Sequence, residues 1–186
     1  VVAQNNFNAY SCSCECKSTT TPTDAAHSII VAGLDDGVRL QSTNRTRLDR
    51  DTLELGLDRG NSPTTVGLRF QALGIPRKSH IVSANLHFTA AEDATGPVNL
   101  LINVLLVPNA VEFTEDTDLS ALTPLTTTPV PWQTSADWTK DQSEAAQTSS
   151  DVSSLLQAIV DQTDYTPNSS IVFVISGVAG TTWTMR

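Results

Sequence analysis

An all-β, jelly-roll-like β-sandwich with one short α-helix and an extended N-terminal arm is the fold class this sequence predicts, on three observations. Between Val66 and Ala90 the apolar residues recur with period 2: Val66, Leu68 and Phe70 alternate with Gly67, Arg69 and Gln71, and Val82, Ala84, Leu86 and Phe88 with Ser83, Asn85 and His87. Short β-branched runs bounded by Gly, Pro, Asn and Asp fill much of the remaining chain. A single clear stretch, about 151–161, repeats at helical spacing.

Length and charge narrow the function. The chain has 186 residues, enough for one ordinary core without metals or disulfides, and divides into an arm with a Thr/Pro-rich tether (1–24) and a sandwich (25–186). Eleven basic against twenty acidic residues give a net charge of −9, and no basic cluster exceeds Arg45-Thr46-Arg47 or Arg77-Lys78. Nucleic acid and anionic membrane surfaces are therefore not expected as partners. The longest apolar runs, such as Leu100 to Val107, fall far short of the ~18 residues of a helical membrane span. The opening residues Val1-Val2-Ala3-Gln4 show no signal-peptide pattern, so any export signal is expected to have been removed or to lie upstream.

The elements follow in order. Tyr10 to Cys16, if extended, puts Tyr10, Cys12, Cys14 and Cys16 on one side and Ser11, Ser13 and Glu15 on the other. Lys17 to Asp24 reads as a tether, being dominated by Ser, Thr and Pro. Ile29 to Ala32 begins the sandwich, Asp35-Asp36-Gly37 is a turn, Val38 to Leu40 a strand, and Leu53, Leu55 and Leu57 alternate as another. The two strands within Val66–Ala90 share a core face; their connection, Gly74 to Ser79, allows either pairing or a crossing to a facing sheet. Leu100 to Val107 is apolar on both faces except at Asn103, as in a strand under a covering loop or mid-sandwich. Short strands are expected near Phe113 and Val130 to Trp132. For the helix, Ser149 or Ser150 is the expected cap, Asp151 suits the first turn, and Val152, Leu155, Leu156, Ile159 and Val160 form the apolar stripe. Ile171 to Ile175 is a central strand and Gly180 to Arg186 a last one.

The run LRF, a short gap, IP, then I-x-x-A-x-L-x-F within Leu68–Phe88, extended by Val130-Pro131-Trp132, Trp138, the Asp151–Val160 helix and Ile171–Gly177, resembles the DNRLRE-type β-sandwich related to alginate-binding carbohydrate-binding modules. The resemblance covers about residues 29 to 186. It implies a secreted or cell-surface module, and since its motif residues are mostly core residues it implies no activity.

No enzyme is expected. His27, His80 and His87 are scattered, and no HExxH, G-x-S-x-G, P-loop or GxGxxG pattern is present. No cofactor is expected, calcium excepted: Asp35, Asp36 and Glu54, with Asp49 and Asp58, supply hard oxygen ligands on loops, although without EF-hand spacing. Trp132, Trp138, Trp183 and Tyr165 are candidates for stacking on sugar rings, with Arg69, Asn85 and His87 as hydrogen-bonding partners on an exposed sheet face. Sequons at Asn44-Arg45-Thr46 and Asn168-Ser169-Ser170, with Thr/Pro-rich runs, point to covalent glycans and an extracellular or cell-surface location. The three cysteines at i, i+2 and i+4 have no partner elsewhere in the chain. Neighbouring i, i+2 cysteines on a strand make poor disulfides. Bonds between chains, a soft-metal site needing a fourth ligand, and apolar packing on a buried strand all stay open.

The expected function is a non-enzymatic extracellular structural protein: a glycosylated fibre subunit polymerising head to tail, its arm inserted as a strand (Tyr10, Cys12, Cys14, Cys16) into a neighbour through a heterologous interface. The alternative is a carbohydrate-binding or adhesion module that recognises polysaccharide.

Overall fold

The computed structural model describes residues 10–18, 21–30, 33–58, 61–134, 137–178, 181, 184 and 185, with residues 10–29 described through their backbone. Among these, nine strands and one α-helix follow the chain: β1 (Tyr10–Ser18), β2 (Thr21–Ile30), β3 (Asp36–Leu40), β4 (Arg45–Arg47), β5 (Thr64–Phe70), β6 (His80–His87), β7 (Val98–Val104), β8 (Val130–Thr134), α1 (Ser153–Val160) and β9 (Ile171–Gly177). They form two antiparallel sheets, a three-stranded one in the order β2-β1-β6 and an unclosed six-stranded one in the order β4-β3-β5-β9-β7-β8. This is the expected all-β, sandwich-like class.

Period-2 burial places the core. Val66, Leu68 and Phe70 of β5, Leu100 and Ile102 of β7 and Phe173 of β9 join Ala84 and Leu86 of β6 in one buried cluster. The helix adds Leu155, Leu156, Ile159 and Val160. Each such large side chain contributes roughly 1.5–3 kcal/mol. β5 and β6 thus lie in different sheets, and the stretch between them crosses the sandwich. Phe70 meets Phe173 edge-on at 6.0 Å and 75°.

The other face of the six-stranded sheet is also covered. Val172 and Val174 point into a second cluster with Ala110, Phe113 and Leu119, which explains why the Ile171–Ile175 run is apolar throughout. At Gly67, a Cβ would stand 2.8 Å from Leu119 and 2.9 Å from Phe113, so the glycine in mid-strand is where this covering segment comes closest.

Several elements differ from the sequence reading. Asp36 lies within β3 rather than in a turn. Leu53 and Leu55 are buried but belong to no ladder; Leu55 makes a single bridge to Met185, which accounts for the expected last strand as far as it is described. Phe113 sits in the second core cluster without a strand. Val82, expected in the core, is 45% exposed, while Ile81 is 5% exposed. The β1–β6 ladder explains this, since Glu15 pairs with Ser83 but Cys16 pairs with Ile81. Val82 is the extra residue of a bulge, which shifts the alternation by one position.

The N-terminal stretch differs most. Tyr10–Ser18 is extended as expected, but it pairs with β6 of the same chain and stands in the middle of the three-stranded sheet. Of Lys17 to Asp24, expected as a tether, Lys17 and Ser18 end β1 and Thr21 to Asp24 open β2, with Ser18 paired to Thr21 and Cys16 to Asp24. Threonines favour a strand as readily as a linker, and Pro22 is tolerated because β2 is an edge strand.

Candidate functional site: the two edges of strand β6

Strand β6 has a backbone edge on each side, and the two are satisfied in different ways. One edge is closed by residues 147–157. Phe88 N–H donates to the Gln147 carbonyl (3.0 Å), Ser149 N–H to the Leu86 carbonyl (2.8 Å), and Val152 N–H to the Ala84 carbonyl (2.8 Å). Side chains complete it: Leu86 N–H donates to Ser149 Oγ (2.9 Å), Ala84 N–H to Asp151 Oδ1 (3.0 Å) and Ile81 N–H to Gln157 Oε1 (2.9 Å). This segment imitates a strand with polar side chains, so the edge offers nothing to an incoming chain.

Asp151 joins this edge to the helix. Its carboxylate also accepts from Ser153 N–H (2.9 Å) and Ser153 Oγ–H (3.0 Å). The N-cap itself is Val152, which has no side-chain cap, so neither Ser149 nor Ser150 caps the helix and Asp151 lies just before it rather than in its first turn. Ser149 is committed to Leu86, Ser150 donates to the Pro131 carbonyl, and Asp151 supplies the acceptor for the first helical N–H, that of Ser153. Burial pushes the Asp151 carboxyl up, but the hydrogen bonds from Ala84 and Ser153 outweigh it and hold the group below the usual carboxylate range.

The second edge follows from strand parity. Ala84 and Leu86 use their backbone groups on the first edge, so the N–H and C=O groups of Ser83, Asn85 and His87 point to the other side. β1 occupies that side, with Glu15 opposite Ser83, Ser13 opposite Asn85 and Ser11 opposite His87. Cys12, Cys14 and Cys16 stand in register with Leu86, Ala84 and Ile81, the buried positions of β6. The side chains of Tyr10 and the three cysteines, and hence their bonding, lie outside what is described.

The remaining expected site residues are dispersed. Trp132, Trp138 and Tyr165 are only 3%, 2% and 2% exposed, so none offers a face to a sugar. Trp132 stacks on Phe88 (5.3 Å, 21°) and lies against Trp138 (6.4 Å), whose Nε1–H donates to the Ala146 carbonyl; the Tyr165 hydroxyl donates to the Ile75 carbonyl. All three are core residues, and the polar ends of Trp138 and Tyr165 are satisfied. Trp183 lies outside the described residues. Arg69 belongs to the six-stranded sheet, where it pairs with Asp35 and bonds the Ala110 carbonyl (3.0 Å). Asn85 and His87 belong to the other sheet and meet Ser149 and Thr148, so no common polar face forms.

The calcium candidates do not converge either. Asp35 engages Arg69 and Gln71, Asp36 is buried beside it, and Asp58 accepts from the Ser42 and Ser62 N–H groups (3.2 and 3.0 Å). Among the described residues no three His, Cys, Asp or Glu side chains gather as a metal requires. Asp36 Oδ1 has no hydrogen-bond partner, and burial, with the neighbouring Asp35 charge, raises its carboxyl to about 6. Both sequon asparagines are exposed on turns. Asn44, at φ 52°, lines an open polar groove of about 470 Å³ in which Arg39, Arg45 and Arg47 are offset by Asp49, Glu115 and Asp116.

Residues 147–157 are the part of the site that sequence reasoning missed. The signal was present in Ser149-Ser150-Asp151, because side chains able to cap a helix can equally cap a strand edge. No protein-family model, curated protein or solved structure matches the chain.

Proposed function

We propose that this chain is a non-enzymatic structural protein of the cell exterior, a glycosylated fibre subunit that polymerises head to tail by lending its N-terminal strand to a neighbouring copy. The observation that carries the reading is the asymmetry of β6: residues 147–157 seal one edge through backbone and side-chain bonds, while the other is filled by the strand β1. A segment that enters this edge in its own chain makes the same backbone bonds at the same edge of a second copy, so exchange costs little. Passed from copy to copy the contact is heterologous and propagates.

Other features support the same reading. The outer strands of the six-stranded sheet carry Arg45 and Arg47 in β4 and Pro131 in β8, which discourages sideways sheet growth and leaves the β6 edge as the route of addition. Asn44 and Asn168 sit where a glycan has room. No helix among the described residues is long and apolar enough to cross a membrane.

Removing the first 17 residues and following mass by light scattering tests this. The full chain should grow into filaments visible by electron microscopy, and the trimmed chain should not. A full chain that stays monomeric at high concentration refutes the proposal.

A further inference from the structure

We infer that the element exchanged between copies is the whole hairpin of β1 and β2, pivoting at Gly33, and not β1 alone. This rests on the polymerisation proposed above and specifies its moving part. β1 is the middle strand of its sheet: it pairs with β6 on one side and, over eight register positions from Tyr10↔Ile30 to Ser18↔Thr21, with β2 on the other. Withdrawing β1 by itself breaks both ladders and leaves β2 without a strand beside it. Withdrawing β1 and β2 together breaks one ladder, and the next copy restores it in full.

The chain provides a pivot at the right place. Gly33 lies between β2 and β3 at φ +117°, a conformation that favours glycine, with no heavy atom within 4 Å of where a Cβ would stand. Beyond it the Leu34 and Asp35 carbonyls accept from the Phe113 and Arg69 N–H groups, so the chain is anchored from residue 34 onward and any swing of the hairpin falls at Gly33. Only five residues, 31 to 35, separate β2 from β3. With residues 34 and 35 held, the three that remain reach about 10 Å fully extended, so the accepting β6 must lie close to the donor's β3 and successive subunits must touch. The arrangement also gives the acceptor a two-stranded unit whose outer edge, β2, carries Pro22 and cannot easily take a further strand.

The register supplies a test. Because Ser13 directs its backbone groups to β6, the pair Ser13↔His27 is a non-hydrogen-bonded pair between β1 and β2, where Cβ atoms come close enough for a disulfide. In the full chain with Cys12, Cys14 and Cys16 changed to Ser, the substitutions Ser13→Cys and His27→Cys lock the hairpin when oxidised. Exchange of the whole hairpin predicts that the oxidised and reduced forms assemble to the same extent and at the same rate. Loss of assembly on oxidation, recovered on reduction, overturns the inference in favour of a single donated strand. If the reduced form and the parent chain both remain monomeric, the polymerisation proposal itself fails, and the inference with it.

Discussion

The Asp151 carboxylate accepts a hydrogen bond from the backbone N–H of Ala84, 67 positions earlier in the chain, at 3.0 Å. The same carboxylate accepts from the N–H and hydroxyl of Ser153, the first residue of the helix. One side chain thus closes a strand edge and starts a helix, so its loss should be felt in both. Asp151→Ala should cost about 2 kcal/mol, the sum of the lost acceptor for the first helical N–H and an unpaired strand N–H. Denaturant unfolding measures it.

Since the Asp151 carboxyl is held below its ordinary value, the folded chain binds its proton less readily than the unfolded chain. That stability is fully present above the ordinary carboxylate range and is lost as pH falls through it. Asp151→Asn should therefore lower the melting temperature at pH 7 and have progressively less effect toward pH 3. An unchanged difference across that range would count against the assigned role.

Asp36 should behave with the opposite sign. Its carboxyl is raised to about 6, so the folded chain keeps the proton between about pH 4 and pH 6 while the unfolded chain releases it. Stability should fall as pH rises through that window, by an amount on the order of 2 kcal/mol after allowing for partial screening. Asp36→Asn should flatten this slope in melting curves recorded from pH 4 to pH 7.

Gly177 packs against backbone. A Cβ added there would stand 2.1 Å from the Gly56 carbonyl oxygen, with no flexible side chain to yield. Gly177→Ala should destabilise by on the order of 3 kcal/mol through a forced backbone shift at the end of β9. Gly74→Ala, where nothing lies within 4 Å but φ is +72°, should cost less, about 1 kcal/mol of backbone strain.

The strands most legible in the sequence are those whose period-2 pattern meets a core directly. β5 is of this kind, β9 is legible instead as a run apolar on both faces because both are covered, and the helix around Leu155 and Ile159 is equally clear. Val82 reads as a core residue in the sequence because no local residue type marks the bulge that resets parity there. The β1–β2 hairpin was hidden because Ser, Thr and Pro suit a linker as well as an edge strand, and what decides between them is the β6 edge some sixty positions away. Trp132 and Trp138 show the same limit for the candidate site. An aromatic pair reads alike whether it faces a sugar or Phe88, and only the three-dimensional neighbours tell them apart.

In the proposed fibre, β1 of one copy fills the β6 edge of another. Cys14 stands opposite Ala84 in a non-hydrogen-bonded pair of the β1–β6 ladder, so Ala84→Cys, with Cys12 and Cys16 changed to Ser, places two thiols within disulfide reach across that ladder. After mild oxidation of assembled protein, a denaturing gel run without reductant reads out which chains the ladder joins. Exchange between copies predicts a ladder of covalent multimers that collapses to monomer on reduction. A single monomer band, shifted only by an internal crosslink, would show that β1 stays in its own chain and no exchange occurs.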